Sequence, residues 1–411
     1  MNKLLNDIAR EIRPEKDVKK EVDAFIRKIN EIIKKNKIRA EAVAGGSIAK
    51  GTFLRDAYDI DIFVKFDLKY KEKDLSSMLE KILESFNPVK IYGSRDYYQI
   101  KNEYNYEIVP VLDIKKVEDA VNVTDMSPLH AIWVRKYIKE NKSLADEIRL
   151  AKHFCKAIDV YGAESYIRGF SGHVLDILTI YYNSFFNLLK NSKKWKEETV
   201  IDLYNYHKGK ALFNLNKSKI SPLVVIDPVD PERNAAAALD REKMEKFRKA
   251  AINFLKKPSR RFFERKKITK ESLKKKGKNI LILEIEPKKG KEDVIGAKLY
   301  KTLIYIKRRL YENEFKVLNY GWEWDKKKEA LFYYVLKKDE LDKERICVGP
   351  PLNLKWHVKK FKRKYKNTYT KKGKVYARIN RKFRTASELI NNLKSSNYMK
   401  EKTKKIKINP L

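Results

Sequence analysis

The chain has 411 residues, with 94 Lys+Arg against 55 Asp+Glu and a formal charge of +39. That length allows two or three domains with well-developed cores. So lopsided a charge predicts an extended polyanion as partner, RNA or DNA, and argues against a small metabolite as sole substrate. Two distant cysteines, Cys155 and Cys347, exclude a disulfide framework and read as small buried hydrophobes. The five scattered histidines carry no zinc signature.

The N-terminus lacks a signal-peptide core. Residues 18–35 have helical periodicity (Val22, Phe25, Ile26, Ile29, Ile32, Ile33) and 39–44 read as a short strand. Gly45-Gly46-Ser47-Ile-Ala-Lys50-Gly51-Thr52 follows and opens a short helix. Backbone amides at such a turn attract phosphate, with Ser47 able to donate a hydroxyl and Lys50 a point charge. The plainer reading is a Gly-Gly turn capped by Ser47.

Residues 58–66 (Tyr-Asp-Ile-Asp-Ile-Phe-Val-Lys-Phe) alternate as a half-buried strand. Ile60, Ile62, Val64 and Phe66 then face a core, and Asp59 and Asp61 project together from the other face. Paired carboxylates repel and titrate as a coupled pair. A hard divalent cation such as Mg²⁺ removes that conflict, although two acids on a solvent-facing strand would also satisfy the pattern.

Residues 74–84 read as a helix, and 89–92, 97–101 and 104–111 as strands, closing a mixed α/β unit near 125. Leu144, Ile148, Ala151, Phe154, Cys155 and Ile158 share a helical stripe with Lys152 at its edge. Ser171 is an N-cap for a helix running to about Lys190. The apolar stretch 174–189 within it is too short and polar to span a bilayer, so no membrane contact and a cytoplasmic location are expected. Asp230 as N-cap and Pro231 at N1 start a helix over 232–238.

Residues 256–278 form a basic connector. Beyond it 279–286, 316–324 and 330–336 read as strands and 299–311 as a helix, a small α+β domain. A basic helix over 357–366, a strand over 374–379 and a frayed basic tail over 398–407 complete the chain.

Two-metal chemistry needs a third acid on a neighbouring strand. Glu107 and Asp113 fall on one face of residues 104–113. At about 3.3 Å per residue they lie roughly 20 Å apart, so one alone reaches the metals. Sequence physics leaves that choice open.

Together these residues resemble the class I (archaeal-type) CCA-adding enzymes, tRNA nucleotidyltransferases of the DNA polymerase β-like superfamily. The resemblance rests on Gly46-Ser47-x-x-Lys50-Gly51-Thr52, Asp59-Ile-Asp61 and Glu107-Ile-Val-Pro110. It also rests on Ile148-Arg-Leu-Ala-Lys152, Val160-Tyr161-Gly-Ala-Glu164, Ile167-Arg-Gly-Phe-Ser-Gly172 and Asp227-Pro-Val-Asp-x-x-Arg233-Asn234, segments that separate these enzymes from poly(A) polymerases.

It implies an α+β chain in three parts: a polymerase β-like palm (1–128), a helical central domain (129–256) and a basic α+β RNA-binding body with a short tail (257–411). It implies template-independent addition of C, C and A to the tRNA 3′ end from CTP and ATP, with two Mg²⁺ ions. Asp59, Asp61 and Glu107 would bind the metals, Glu107 standing where the family usually has aspartate. Gly46, Ser47 and Lys50 would hold the triphosphate; His130, Lys152 and Tyr161 would contact phosphates and sugar; Arg233 would help read the base. A homodimer is left open. The rivals are another RNA-tailing polymerase of the superfamily, such as a poly(A) polymerase, and an RNA-binding protein with a decayed site.

Overall fold

The computed structural model describes residues 1–411 apart from Glu15, Ala57, Tyr58, Lys276, Lys278, Pro410 and Leu411, and the side chains of Lys16 and Asp17. The chain divides into two units, Met1–Arg265 and Lys266–Leu411.

The first unit holds two large apolar cores and a small third cluster, in which Ala211 and Leu215 pack against Val224 and Ile226. Helix α1 (Asn2–Ile12) precedes α2 (Lys16–Lys35), β1 (Ala40–Ala44), α3 (Gly46–Lys50), β2 (Asp59–Phe66), α4 (Leu75–Leu83), β3 (Val89–Ile91), β4 (Tyr97–Lys101) and β5 (Asn105–Leu112). The five strands form one sheet in the order β1-β2-β5-β4-β3, with β2 and β5 parallel and every other pair antiparallel. Tyr58, the expected first strand residue, lies outside the described residues. Ile60, Ile62, Val64 and Phe66 are fully buried against α2 and α4 residues such as Val22, Ile29 and Leu79. Each such side chain contributes about 1.5–3 kcal/mol. A one-residue slip of β2 would trade that core face for the two aspartates, so the apolar face fixes the register.

The second core is helical: α5 (Ser127–Glu140), α6 (Leu144–Ala157), α7 (Gly172–Tyr182), α8 (Phe185–Ser192), the short β6 (Thr199–Ile201), α9 (Ala211–Asn214), β7 (Leu223–Val225) and α10 (Arg241–Lys256). Helix α1 packs here through Leu5, Ile8 and Ile12, and so do Phe262 and Phe263 from the connector.

Two helix expectations in this unit are corrected. The single helix over 171–190 is two helices: Ser171 caps the first as expected, but Asn183 turns left-handed (φ 61°) and Ser184 caps the second. No helix forms over 232–238. There the buried Asn234 side chain accepts from the Val225 and Ala236 amides and donates to the Lys219 carbonyl and Ser221 hydroxyl, bonds that hold a turn. The cap function passes to Asp240, which opens α10. Cys155 is buried and its thiol pushed well up by desolvation, whereas Cys347 is only half-buried.

In the second unit α11 (Lys270–Lys274) leads into β8 (Ile280–Pro287), α12 (Glu292–Glu312), β9 (Val317–Trp324) and β10 (Ala330–Leu336). There follow β11 (Glu344–Pro351), α13 (Lys355–Lys364), β12 (Thr368–Lys371), β13 (Lys374–Asn380), α14 (Ala386–Lys394), α15 (Asn397–Lys402) and β14 (Thr403–Asn409). The expected frayed tail is thus a helix and an ordered edge strand. β14 pairs antiparallel with β8 in a four-stranded sheet ordered β14-β8-β10-β9, turning Ile406 and Ile408 onto the core. The alternation of Lys405, Ile406, Lys407 and Ile408 is a short period-two pattern, which the reading of a frayed tail passed over. A separate three-stranded sheet, β11-β13-β12, adjoins α13, which buries no residue. Among the described residues no helix is long and apolar enough to cross a membrane.

Candidate active site

Parallel pairing sets Asp61 opposite Glu107 and Asp59 opposite Asn105. Three carboxylates therefore share one face of two central strands. Asp59 is exposed and accepts from Asn105 Nδ2 at 2.9 Å. Glu107 is held from the other side by Gln99 Nε2, 2.8 Å from its Oε1. Burial, then Glu107, pushes the Asp61 carboxyl up to about 6 against the pull of Lys50, with Asp59 adding to the rise. Asp113, the other candidate third acid, stands past the end of β5 beside Lys65 (3.3 Å) and Lys115 (3.6 Å).

The glycine turn closes over Asp61. Gly45 N–H donates to the Asp61 carbonyl at 2.8 Å. Gly46 has φ +49°, and a Cβ there would sit 1.7 Å from Asp61 Oδ2, so only glycine allows the turn to approach the carboxylate. The cap of α3 is Gly45; Ser47 lies inside the helix, its carbonyl accepting from Thr52 N–H.

Lys50 and Lys152 meet at an acid that the sequence reading passed over. Lys50 Nζ donates to Asp176 Oδ2 at 2.7 Å, Lys152 Nζ lies 2.9 Å from Oδ1, and Lys152 also donates to Thr52 Oγ1 at 2.9 Å. Burial pushes Asp176 up, but Lys152 and Lys50, with His173, outweigh it and hold the carboxyl down to about 2. Burial dominates for Lys152, whose ammonium falls below the ordinary lysine range. Tyr161 is half-buried close by, its hydroxyl 2.9 Å from where a Gly172 Cβ would stand; burial pushes its phenol upward.

His130 and Arg233 converge on a second unforeseen acid, Asp227. The buried His130 Nε2 is 2.9 Å from Asp227 Oδ2, His173 Nε2 3.5 Å and Arg233 Nη1 3.3 Å. Burial raises Asp227, and the two histidines overcome it, leaving the carboxyl well below the usual range. His173 itself is lowered by burial to about 4. Two of the histidines that look scattered in the sequence thus lie with ring centres 4.2 Å apart. With Asp227 they are the one set of His, Cys or acid ligand atoms within 4.8 Å among the described residues, though the Arg233 guanidinium already faces that carboxylate.

The Asp59–Asp61–Glu107 group fits a divalent metal by its chemistry: an all-oxygen hard donor set whose central acid is pushed up by its neighbours.

Three family models match consecutive parts of the chain: a nucleotidyltransferase domain over 26–119, the second domain of tRNA nucleotidyltransferases over 146–264, and the C-terminal domain of CCA-adding enzymes over 276–406. The chain is 35% identical over 351 residues to the CCA-adding enzyme of Nanoarchaeum equitans, covering 84% of both chains. It belongs to the CCA-adding enzyme family. The CCA-adding enzyme of Methanocaldococcus jannaschii is 30% identical over 97% of this chain and 91% of its own. Structural likeness reaches further: a cytoplasmic RNA terminal U-transferase superposes with TM-score 0.54 at 14% identity, over 65% of this chain and 98% of that one. The Cid1 poly(U) polymerase superposes with TM-score 0.52 at 14% identity, over 64% and 98%. At that identity the likeness concerns the polymerase β-like fold alone. The chain is accordingly a tRNA nucleotidyltransferase, of a fold that generally uses divalent metal ions.

Sequence reasoning gave no role to Asp176, Asp227, His173, Gln99 or Asn105, although Asp227 opens one of the segments that carry the resemblance. None stands in a phosphate-loop or D-x-D pattern; Gln99 reaches Glu107 across the local β4–β5 pairing, and Asp176, Asp227, His173 and Asn105 meet partners distant in sequence. One signal was available for Asp176, a lone acid inside an apolar helix, which burial forces to find partners.

Proposed function

We propose that this CCA-adding enzyme extends the tRNA 3′ end by C, C and A from CTP and ATP through in-line attack of the 3′-hydroxyl on the α-phosphate. The observation that supports this reading is that Asp59, Asp61 and Glu107 share one face of the paired strands β2 and β5, with the Gly46 turn close against Asp61. Those three acids would hold two Mg²⁺ ions. Bound there, such ions would supply Lewis-acid chemistry, activating the hydroxyl and offsetting charge on the leaving pyrophosphate.

The chain's own groups do the positioning. Gly46, Ser47 and Lys50 would hold a triphosphate beside the acids, and His130, Lys152 and Tyr161 would contact its phosphates and sugar. Arg233 presents planar donors to the base. Catalysis then comes from orientation and fixed charge. Residues 1–128 would supply the chemistry and 129–256 the nucleotide contacts. Residues 257–411 would hold tRNA through phosphate contacts; α13, with Lys359, Lys360, Lys362, Arg363 and Lys364 exposed, suits that task.

The test is incubation of the protein and Mg²⁺ with tRNA lacking its 3′ CCA and each NTP, followed by sequencing of product ends. Addition that stops at CCA supports the reading; long homopolymer tails would replace it with a tailing polymerase.

A further inference from the structure

We propose that Asp176 is a positioning residue for the incoming nucleotide's triphosphate, acting through Lys50 and Lys152. The inference rests on the triphosphate role proposed above for those two lysines.

Asp176 is completely buried on α7, while Lys50 comes from α3 and Lys152 from α6. One carboxylate thus ties together three segments far apart in sequence. The approach depends on Gly172 at the start of α7, where a Cβ would stand 2.9 Å from Tyr161 Oη and 3.7 Å from Lys152 Cε.

The stoichiometry is the informative part. Two ammoniums face one carboxylate, leaving the buried cluster with an excess positive charge. An ammonium carries three N–H groups, and a single carboxylate cannot engage all six. Uncompensated buried charge is costly, so the cluster is built to receive a second anion. The adjacent acids of β2 cannot fill that role once they are committed to cations. Asp176 would fix where the two ammoniums point, and keep them from repelling each other, before the triphosphate arrives. Without it, Lys152 faces Lys50 and Arg149 in a desolvated setting that already disfavours its charge.

The experiment compares Lys50→Ala, Lys152→Ala, Asp176→Asn and Asp176→Glu in the full chain, by steady-state kinetics on tRNA lacking CCA, with thermal melts of each variant. Loss of outer partners that orient a binding group typically weakens it roughly 10–100-fold. Asp176→Asn should therefore raise the KM for CTP and ATP by that factor, with the tRNA KM unchanged. Asp176→Glu, which keeps the charge, should recover part of the loss. A purely structural Asp176 would instead lower the melting temperature and the active fraction while leaving both KM values near the parent's, and that result would overturn the inference. If Asp176→Asn does not fold, Asp176→Ser, which also removes the charge, decides by the same criterion, an NTP KM at the parent value counting against. Should the two lysine variants keep a normal NTP KM, the triphosphate reading of the lysines fails first and the role of Asp176 falls with it.

Discussion

Two groups of acids in the first unit are treated in opposite ways. On β2 and β5, Asp61 sits among Glu107 and Asp59 and is pushed up to about 6, with Lys50 alone working against the rise. On α7 and in the turn after β7, Asp176 and Asp227 are more deeply buried, yet both are held low by lysines or histidines of the chain. Burial alone would raise all three, so the difference lies in the countercharge. The chain neutralises the acids that organise the site and leaves unneutralised the acids proposed to bind metal.

The largest effect should come from abolishing that contrast at Asp61. Asp61→Asn, like Asp59→Ala, should lower nucleotide addition at least about a thousandfold, since a metal ligand supplies several kcal/mol of transition-state stabilisation. The same Asn substitution should stabilise the fold at pH 7–8 by about 1–2 kcal/mol, because it removes a strained charge. The sign follows from linkage. A carboxyl raised in the folded state adds stability below its unfolded value, 3.8, and that stability is lost as pH rises through about 6. Parent melting temperature should thus carry a downward step between pH 4 and 6 that the Asn variant lacks. Added Mg²⁺ should stabilise the parent above pH 6 and progressively less below it. An Asn variant less stable than the parent at pH 8 would break the comparison.

The third acid sharpens it. Glu107→Ala should inactivate, Glu107→Asp should retain or improve activity, and Asp113→Ala should be mild, because Asp113 is paired with Lys65 and Lys115 away from Asp61. Rates measured on one tRNA at saturating NTP check the ranking. Its reversal would move the metal site along β5.

The D-x-D strand, the glycine turn and most strands of both units were legible because each is a local pattern of period two or a turn with a fixed residue. Spacing did not distinguish Glu107 from Asp113; the parallel register of β2 and β5, a long-range fact, sets Glu107 opposite Asp61. The break at Asn183-Ser184 was written in the sequence as a capping serine, yet the continuous apolar run on both sides masked it. Helices α1 and α5 drew no expectation. The Ala-rich segment 235–238 misled in the other direction: its intrinsic helix preference yields to Asn234, whose four side-chain hydrogen bonds hold a turn. Asp176 and Asp227 drew no role from the sequence because most of their partners arrive from distant segments, Lys50 of α3 and Lys152 of α6 for the one, His130 of α5 and His173 of α7 for the other.

A smaller effect is expected at the edge of the Asp227 group. Arg233 keeps 40% of its side chain exposed while resting 3.3 Å from Asp227, an anchored guanidinium with donors to spare. Arg233→Ala should slow C and A addition about tenfold and relax discrimination against UTP and GTP, the size of one lost charged hydrogen bond. Competition among the four NTPs, read by product sequencing, checks this. Unchanged selectivity would leave Arg233 as a partner of Asp227 only.

The smallest and most graded effect belongs to the second unit. Lys359, Lys360, Arg363 and Lys364 are exposed on α13, and no acid of the described residues pairs with them within 4.0 Å. If they meet phosphates, the slope of log affinity for tRNA against log salt should flatten by up to roughly 0.7–0.9 for each phosphate no longer neutralised. Removing all four charges should therefore raise the tRNA KM steeply at low salt and little at high salt. The NTP KM should stay near the parent value, because the acids and lysines of the nucleotide site all lie in residues 46–233. A quadruple variant with the parent's salt slope would mean that α13 is a solvated basic face, and the tRNA-binding surface would have to be sought elsewhere, beginning with the lysines around β14.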